Sequence, residues 1–369
     1  MSEFRTIREL CSVVVDCPHS TPKWTANGKI VIRNKNIKHG KIDFSSPSYT
    51  DDEHFAQRIK RAKPQPGDII ITREAPIGDV GMIPENTECC LGQRMVLLRA
   101  NQSVCDNFYL LYSLQSLYVQ HQISWSEGTG TTVSNLRIPH LEQIQIPYLP
   151  LEQQAKISSV LRALEEKIEN NRRLNDNLQQ QAQAIYSSMF IDNPDPAWSH
   201  GHLSDLITVK YGKDHKKLAD GIYPVYGSGG IMRYVERPLY NKESVLIPRK
   251  GTLNNVMYVN QPFWSVDTMF YTEMKLPKVA KFVYHFVKAK DLASMNAGSA
   301  VPSMTTDILN AMEVVIPSAS ALEEFESLVA PMYEAMEAND VQSKALSQMR
   351  DTLLPKLMSG AIDVSDVQL

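Results

Sequence analysis

The sequence predicts an α+β protein in which two β-rich α/β domains are separated by a long antiparallel two-helix coiled coil. Three observations support this prediction. Two stretches of the chain carry apolar residues at alternating spacings of four and three. Those stretches, with the segments that precede them, occur twice along the chain. Short apolar runs bounded by Pro, Gly and Asn fill much of the remaining sequence. Together they predict an internal repeat about a pseudo-two-fold axis.

Length and composition limit the class of protein. The chain has 369 residues, 43% of them hydrophobic, and no apolar run approaches the length of a membrane span. This length allows two cores of ordinary size. The opening residues, MSEFRTIREL, lack the basic-then-apolar layout of a secretory signal, so a cytoplasmic location is expected. The five cysteines show no C-x-x-C spacing, which favours reduced thiols over a metal site.

Each domain is predicted to be mostly β-sheet with one packing helix. The runs DIIIT and RMVLLR in the first domain, and SVLIP and VMYVN in the second, are typical of short strands joined by tight turns. Residues 107–122 and 279–290 place aromatic and aliphatic side chains at helical spacing. We interpret both segments as helices that face the domain cores.

The stretch 151–190 has no internal Pro or Gly and predicts one long helix in mid-chain. Its seam positions follow a strict 4-3 spacing and include two polar layers, Asn171 and Asn175. The seam comprises Ile157, Leu161, Leu164, Ile168, Asn171, Asn175, Leu178, Ala182, Ile185 and Met189. An apolar seam of this kind needs a partner helix.

A matching helix is predicted at the end of the chain, offset by 168 residues, where Asn339 and Ser343 repeat the polar layers. Its seam comprises Phe325, Val329, Met332, Met336, Asn339, Ser343, Leu346, Arg350, Leu353 and Leu357. Two unrelated amphipathic helices would not require matched polar positions. Pro331 is expected to kink this helix in its second turn.

The repeat extends upstream of both helices. GTGTTVSNLRIPHLEQIQIP (128–147) aligns with GSAVPSMTTDILNAMEVVIP (298–317), and IIITREAPIGDVGMI (69–83) aligns with VLIPRKGTLNNVMYV (245–259), which pairs Arg73 with Arg249. The predicted boundaries are 1–147 and 191–317 for the domains, and 148–190 and 318–369 for the helices. A compact domain cannot easily return the chain along a helix of about 57 Å, so the helices are expected to be antiparallel.

Charge is unevenly distributed along the chain. The net charge is -3, and residues 322–369 carry 3 basic and 9 acidic side chains. Basic residues cluster in 29–41, 58–63 and 210–217. Such clusters suit phosphate contact, although a solvated face is the commoner reason for a charge run. Two domains of this kind on a rigid spacer favour nucleic-acid binding.

Several segments carry a family resemblance. IQIPYLPLEQQAKISSVL is similar to an Ile-Pro...Leu-Glu-x-Gln start of a central helix, and it follows GDIIITREAPIGDVGMI in the chain. YPVYGSGGIMRYVERPLYNKESVLIPRKGT and LLPKLMSGAIDV come later. In this order, and duplicated, these patterns make the chain resemble the specificity (S) subunits of type I restriction-modification systems over essentially its whole length. The resemblance implies two target-recognition domains, each reading one half of a bipartite asymmetric DNA site.

The resemblance also implies partners and cofactors. The helices would hold two methyltransferase subunits, which use S-adenosylmethionine, and restriction/translocase subunits would join them on double-stranded DNA. No cofactor and no metal are expected in this chain, and no membrane partner. VYGSGG lacks nucleotide-binding spacing, and the PD...DxK match at Asp195, Asp214 and Lys216 lies in loop-like segments. A stand-alone metal-dependent nuclease or methyltransferase, and a coiled-coil protein scaffold, remain as alternatives.

The candidate DNA-binding residues follow from predicted exposure and from the repeat. Arg73 and Arg249 end matched strands, where a guanidinium reaches a guanine edge or a phosphate, or else forms a strand-end salt bridge. Thr132, Ser134 and Asn135 lie in a loop that resembles a DNA-facing loop of the family. The remaining candidates lie in polar loops and are Lys35, Asn36, Lys213, Lys217, Lys250 and Asn254. Two unlike half-sites are expected because the domains share a scaffold and not their surface residues.

Overall fold

The computed structural model describes residues 3–38, 40–125, 135–295 and 303–364. The chain divides into two compact units, one of Met1–Asn170 with Val341–Leu369 and the other of Asn171–Asp340. Both units combine helices with β-sheets, as the sequence predicts. Across the described ranges, none of the helices has the length and apolar character that a membrane span needs.

The first unit is built from short strands. The strands are β1 (Glu3–Thr6), β2 (Cys11–Asp16), β3 (Lys29–Ile32), β4 (Ile37–Lys38), β5 (Lys41–Ile42), β6 (Ser48–Thr50), β7 (Ile69–Thr72), β8 (Val80–Met82), β9 (Cys89–Leu91), β10 (Met95–Ala100) and β11 (Gln145–Tyr148). The helices are α1 (Ile7–Leu10), α2 (Asp52–Arg58), α3 (Asn107–Gln115), α4 (Leu117–Trp125), α5 (Ile138–Gln143) and the start of α6 (Leu151–Ser187). A 3₁₀ turn covers Asn34–Asn36.

The main sheet of the first unit has the order β2-β10-β7-β8, with antiparallel neighbours. Successive side chains of β7 point to opposite faces of the sheet. Ile69 and Ile71 therefore lie in the core that contains α3, and Ile70 lies in a second core beside β3 and β9. β3 lies between β6 and a parallel β9 in a smaller sheet. The central strands are therefore buried on both faces.

The second unit contains β12 (Ser199–His202), β13 (Ile207–Tyr211), β14 (Asp220–Gly227), β15 (Gly230–Val235), β16 (Ser244–Pro248), β17 (Met257–Val259), β18 (Trp264–Ser265), β19 (Met269–Met274) and β20 (Glu313–Ile316). Its helices are α7 (Leu203–Leu206), α8 (Ala280–Lys288), α9 (Thr306–Asn310) and the first part of α10 (Ala319–Met358). A π-helical turn, Ser188–Asp192, follows α6.

The two units repeat one strand order. β13-β19-β16-β17 corresponds to β2-β10-β7-β8, and β15-β14-β18 corresponds to β6-β3-β9. In both smaller sheets the middle strand is parallel to one neighbour: β14 is parallel to β18, and β3 is parallel to β9. β7 and β16 are therefore equivalent strands, and Arg73 and Arg249 follow them at equivalent positions.

In the first unit, the beginning of α6 packs against the end of α10. Ile157 and Leu161 share a core with Leu357 and Met358. One turn further along α6, Glu165 pairs with Arg350 at 3.8 Å. Residue numbers rise along α6 while they fall along α10, so the two helical segments of this unit run in opposite directions.

In the second unit, the end of α6 packs against the beginning of α10 in the same manner. Asn175 donates to the carbonyl oxygen of Met336 at 3.2 Å and to Asp340 at 2.8 Å. Nearer the end of α6, the rings of Tyr186 and Phe325 lie 6.2 Å apart. These helical segments also run in opposite directions. α10 continues through Pro331, so this proline does not end the helix.

Gln154 fixes the start of α6 to the first unit. It is fully buried, accepts a hydrogen bond from the Asp106 backbone N–H at 2.9 Å, and donates to the carbonyl oxygens of Val104 and Leu149 at 3.1 and 2.7 Å. A buried amide is stable only when its polar atoms are bonded, and these bonds meet that requirement. The Gln of the Leu-Glu-x-Gln segment therefore positions the helix.

The aromatic helix predicted over 107–122 is divided at Ser116 into α3 and α4. Tyr109 and Tyr112 of α3 are buried as predicted, whereas Leu117 and Tyr118 at the start of α4 are exposed. The five cysteines are all buried and form no disulfides. Burial raises the pKa of the Cys11 and Cys89 thiols to about 12, so they remain protonated near neutral pH.

Candidate nucleic-acid interface

Arg73 holds together one edge of the first unit. Its guanidinium donates to both carboxylate oxygens of Asp16 at 2.9 Å, and to the carbonyl oxygen of Leu136 at 2.9 Å. The Arg73 side chain is only 12% exposed. The strand-end salt bridge, which the sequence left as an alternative to DNA contact, is the arrangement found. Asp16 ends β2, so Arg73 ties the ends of two strands to the segment before α5.

Asn135 joins the same network. Its side-chain oxygen accepts from Arg73 at 3.2 Å, and its amide donates to Glu74 at 2.8 Å. Glu74 also pairs with Arg94 at 3.2 Å. The structure therefore brings two of the sequence candidates, Arg73 and Asn135, together. Thr132 and Ser134 lie outside the described residues.

Asn36 and Lys35 are neighbours with different environments. Asn36 is 4% exposed, accepts from the Arg33 backbone N–H at 3.0 Å and donates to the Asp43 carbonyl oxygen at 2.9 Å. Its amide is used to shape the 33–46 loop and does not face solvent. Lys35 is exposed and its ammonium donates to Ser46 at 3.0 Å. Of the two residues, only Lys35 presents its functional group on the surface.

A cleft of about 350 Å³ lies beside this loop. Its lining is mixed polar and apolar and comprises Pro22, Trp24, Arg33, Asn34, Lys35, Ala75, Gly92, Gln93 and Arg94. Trp24 is 45% exposed, and the Arg33 guanidinium lies 4.9 Å from the centre of its ring. An indole beside a guanidinium suits stacking on a nucleobase. Sequence reasoning missed Trp24 and Arg94; an aromatic residue just before the basic stretch was the available signal for the tryptophan.

Arg249 has a different environment in the second unit. Its guanidinium donates to the Asp267 carbonyl oxygen at 3.0 Å and lies 5.5 Å from the centre of the Tyr211 ring. In the described part of the chain, no carboxylate forms an ion pair with it. Most of its N–H groups thus remain available for a phosphate or a guanine edge. Tyr211, which ends β13 and is 53% exposed, was not among the sequence candidates.

Lys250 and Asn254 lie on the loop after β16. Lys250 is exposed, and its backbone forms a bridge with Ser303. The Asn254 amide donates to Asp291 at 3.0 Å, and its oxygen accepts from the Ala293 backbone N–H at 3.0 Å. Asn254 therefore anchors the loop, and Lys250 presents a charge from it.

Lys213 and Lys217 lie on the exposed loop after β13, together with Lys216. The Lys213 backbone N–H donates to Ser265 at 2.8 Å, which fixes the start of the loop against β18. Asp214 accepts from the Lys216 backbone N–H at 3.0 Å, and that bond lowers the pKa of its carboxyl. The three ammonium groups are exposed, as phosphate contact requires.

The basic cluster at 58–63 does not form one charged face. Arg58 is only 6% exposed and donates to four carbonyl oxygens, those of Leu91, Ser20, Pro18 and Gly92, at 2.8 to 3.2 Å. Its charge is therefore used inside the unit. Lys63 pairs with Glu88 at 3.0 Å.

The carboxylates of the nuclease-like sequence match can be compared with the needs of a metal site. Within 3–38, 40–125, 135–295 and 303–364, no group of three or more His, Cys, Asp or Glu residues is arranged to hold a metal ion. Asp195 and Asp214, the two carboxylates of the PD...DxK match, each accept a local backbone N–H from their own loop, at 2.9 and 3.0 Å. Both therefore act as turn-capping residues.

Comparison with known families gives two matched regions. The model of the type I restriction modification DNA specificity domain matches residues 3–180 and 197–324. The matches cover most of the chain, and one falls on each half of the internal repeat.

Individual relatives agree with the family match. The chain is 24% identical over 345 residues to the type I restriction enzyme MjaIX specificity subunit of Methanocaldococcus jannaschii, covering 82% of this chain and 79% of that protein. It is 24% identical over 281 residues to a putative type I specificity subunit of Mycoplasma genitalium, covering 68% and 70%. The crystal structure of a type I restriction-modification S subunit from M. genitalium has the same fold, with a TM-score of 0.62, 20% identity, and coverage of 97% and 96%.

Proposed function

We propose a division of labour within this chain from one premise: it belongs to the type I restriction modification DNA specificity family and is the non-catalytic specificity subunit of such a system. The subunit supplies DNA sequence specificity to a methyltransferase and endonuclease complex. Residues 1–147 form target-recognition domain 1, and residues 191–317 form target-recognition domain 2. Each domain reads one half of a bipartite asymmetric site.

This proposal rests on the observation that the two units share one strand order but differ in the side chains on their surfaces. The strand orders of the units match, yet Arg73 is neutralised by Asp16 whereas Arg249 lies over Tyr211 without an ion pair among the described residues. Equivalent positions thus offer different groups to DNA. Because base edges are distinguished by donors and acceptors, different surfaces select different half-sites.

The helices 148–190 and 318–369 form an antiparallel coiled coil about a pseudo-two-fold axis. Support comes from the opposed chain directions within each unit and from the hydrogen bonds at the polar layer. Asn339 donates to the Asn175 side chain at 2.8 Å, and Asn171 donates to the Asn339 carbonyl oxygen at 3.3 Å. Buried polar residues at seam positions fix the register of paired helices.

The same helices dock two methyltransferase subunits, which bring S-adenosylmethionine, and restriction/translocase subunits join that assembly on double-stranded DNA. No cofactor is assigned to this chain. The excess of acidic residues over 322–369 favours basic partner surfaces.

The candidate residues take two roles in DNA binding. Lys35, Lys213, Lys217 and Lys250 contact phosphates, and Arg249 contacts a base edge or a phosphate. Several others position those contacts through the bonds described above, namely Arg73, Asn36, Asn135 and Asn254. Thr132 and Ser134, which lie outside the described residues, stay candidates for DNA contact because their segment resembles a DNA-facing segment of the family.

Methylation mapping tests the function. Genomic DNA from cells that carry this chain with its methyltransferase partner should be modified at one split, asymmetric sequence. Arg249→Ala should relax or abolish recognition in one half and leave the sequence of the other half unchanged. A continuous site, or methylation that persists without this chain, would contradict the proposal.

Removing Lys216 and Lys217 together should weaken DNA binding about equally on all sequences. Phosphate contacts carry no base information, and each one lost lowers the slope of log affinity against log salt by about 0.9. Titrations of Lys216→Gln/Lys217→Gln on cognate and unrelated duplexes at several salt concentrations would measure this. Lys242→Gln/Lys278→Gln removes the same charge beside the start of α8 and serves as the control. A loss confined to cognate DNA would argue against a phosphate role.

A further inference from the structure

The hairpin formed by β14 and β15 ends in an exposed apolar tip. This tip carries Ile231 and Met232, which are 49% and 61% exposed. Both residues lie on the edge strand β15 just after the hairpin turn, and exposing two large apolar side chains there is costly in water. Such exposure is typical of a surface that meets a partner.

The tip has a defined geometry. Tyr226 pairs with Ile231, Gly227 pairs with Gly230, and the register shifts between Val225 and Tyr226. A Cβ atom on Gly227 would lie 2.6 Å from the Met232 sulfur, so the methionine side chain lies across this glycine. The missing side chain at Gly227 makes room for it. The Met232 side chain therefore packs over the backbone at the end of β14.

Basic residues flank the tip. The Asn255 amide donates to the Ser228 carbonyl oxygen at 2.8 Å, which joins the hairpin turn to the loop that carries Lys250. The Val266 backbone N–H donates to the Tyr226 carbonyl oxygen at 3.1 Å, and the Lys213 backbone N–H donates to the carbonyl oxygen of the neighbouring Ser265 at 2.8 Å, which brings the loop that carries Lys213 to the same strand. An apolar tip between positively charged loops is complementary to a nucleic acid, whose stacked bases lie between phosphate rows.

Two of the nearby carboxylates are engaged within the unit. Asp220 is paired with Arg233 at 2.6 Å, and Asp214 caps its own loop through the Lys216 backbone. The equivalent strands of the first unit, β3 and β6, are joined by the long segment 33–47 in place of a tight turn. The hairpin tip is therefore a feature of the second unit.

We propose that Ile231 and Met232 insert between two base pairs in or beside the second half-site and partly unstack them. The inference rests on the proposed function, because it takes duplex DNA as the occupant. Apolar side chains inserted at a base step kink the duplex. Pyrimidine–purine steps unstack most easily, so the tip selects such a step without hydrogen bonds to its bases.

Permanganate probing of the full-length chain, in complex with its methyltransferase partner, tests the insertion. Permanganate oxidises thymines that have lost their stacking. The pyrimidine–purine steps TA, TG and CA each have a thymine on one or both strands, and only a CG step has none. The probe is a duplex that carries the methylation-mapped site. The wild-type complex should give a hyperreactive thymine at or next to the second half-site. Site-specific methylation of the same duplex reports that the complex has formed.

Ile231→Ser/Met232→Ser should remove the hyperreactive thymine at the half-site and lower affinity about tenfold, the order expected when the burial of one large apolar side chain is lost. Met232→Leu should keep both. Ile222→Ser is the matched control, because Ile222 is 77% exposed on the same hairpin, five residues before Gly227. Its reactivity pattern should equal that of the wild type.

The outcomes separate the two proposals. Equal thymine reactivity in the wild type and the double serine variant, with methylation still at the mapped site, would overturn insertion and leave the proposed function standing. Loss of methyltransferase co-purification from the double variant, with unchanged reactivity in the complex that remains, would assign the tip to a protein contact and also overturn insertion. Absence of any site-specific methylation by the wild-type complex would overturn the proposed function itself.

Discussion

A chain that ends after Asp192 is expected to dimerise and to direct methylation to an interrupted palindrome. Residues 1–192 contain one domain and the whole of α6, whose apolar face then lacks α10. Equivalent positions of the two helices differ by 168 in residue number. Met189 and Phe190 of a second chain would therefore take the places of Leu357 and Met358 in the core of the first unit. Two copies of the first domain would then read the first half-site twice.

The dimer should form only at sufficient protein concentration. The second chain offers Ala182 where the full chain has Arg350, so the ion pair with Glu165 is lost. The polar layer is retained, because Asn171 and Asn175 replace Asn339 and Ser343. Light scattering coupled to size exclusion measures the mass, and methylation mapping with the partner present measures the target.

A pair of substitutions in the truncated chain isolates the helix seam. Ile168→Glu places a charge at a half-buried seam position and should keep the truncated chain monomeric, whereas Ala163→Glu places the same charge on the exposed face and should not. A truncated chain that stays monomeric at micromolar concentration, or that methylates the original asymmetric site, would disprove the pseudo-symmetric arrangement.

The elements that follow a local rule could be predicted from the sequence. α6 runs from Leu151 to Ser187, close to the predicted span, because its apolar period and its freedom from Pro and Gly both act locally. The predicted apolar runs give β7, β10, β16 and β17 for the same reason. The repeat also anticipated that Arg73 and Arg249 would follow equivalent strands.

Partners that are distant in sequence could not be predicted. Arg73 meets Asp16 from 57 residues away, and Arg58 meets carbonyl groups from 33 to 40 residues away. Spacing identifies a basic residue and does not show whether the fold will neutralise it. For this reason Arg58 resembled a phosphate contact in the sequence and is a buried hydrogen-bond donor in the structure.

Burial of a charged residue inside an apolar pattern is the hardest feature to foresee. The run VAKFVYHFVKAK predicted a core-facing helix, and its Lys281 side chain is only 6% exposed. The ammonium pairs with Glu326 at 2.6 Å and with Glu243 at 3.5 Å, and it lies 5.2 Å from the centre of the Tyr258 ring. This ion pair joins α8 to α10 inside the second unit.

Glu326→Ala should lower the free energy of unfolding of the second unit by about 3 kcal/mol, because a buried ammonium loses its nearest carboxylate. Glu243 is 43% exposed and its carboxylate lies farther from the ammonium, so it offsets only part of that loss. Hydrogen exchange of α8 peptides in increasing urea measures the effect within this unit. Glu323→Ala removes a carboxylate that is 66% exposed and pairs with Lys278 at 3.6 Å, and it should have no measurable effect.

The double variant Lys281→Met/Glu326→Leu decides whether the ion pair stabilises the unit or only avoids an unpaired charge. Replacing both partners with apolar side chains of similar size removes the desolvation cost of both charges, so most of the stability lost in Glu326→Ala should return. Recovery would show that the cost of the single variant comes from the stranded ammonium. A double variant as unstable as Glu326→Ala would instead mean that the ion pair itself contributes the stability, and equal effects of Glu326→Ala and Glu323→Ala would contradict the burial argument.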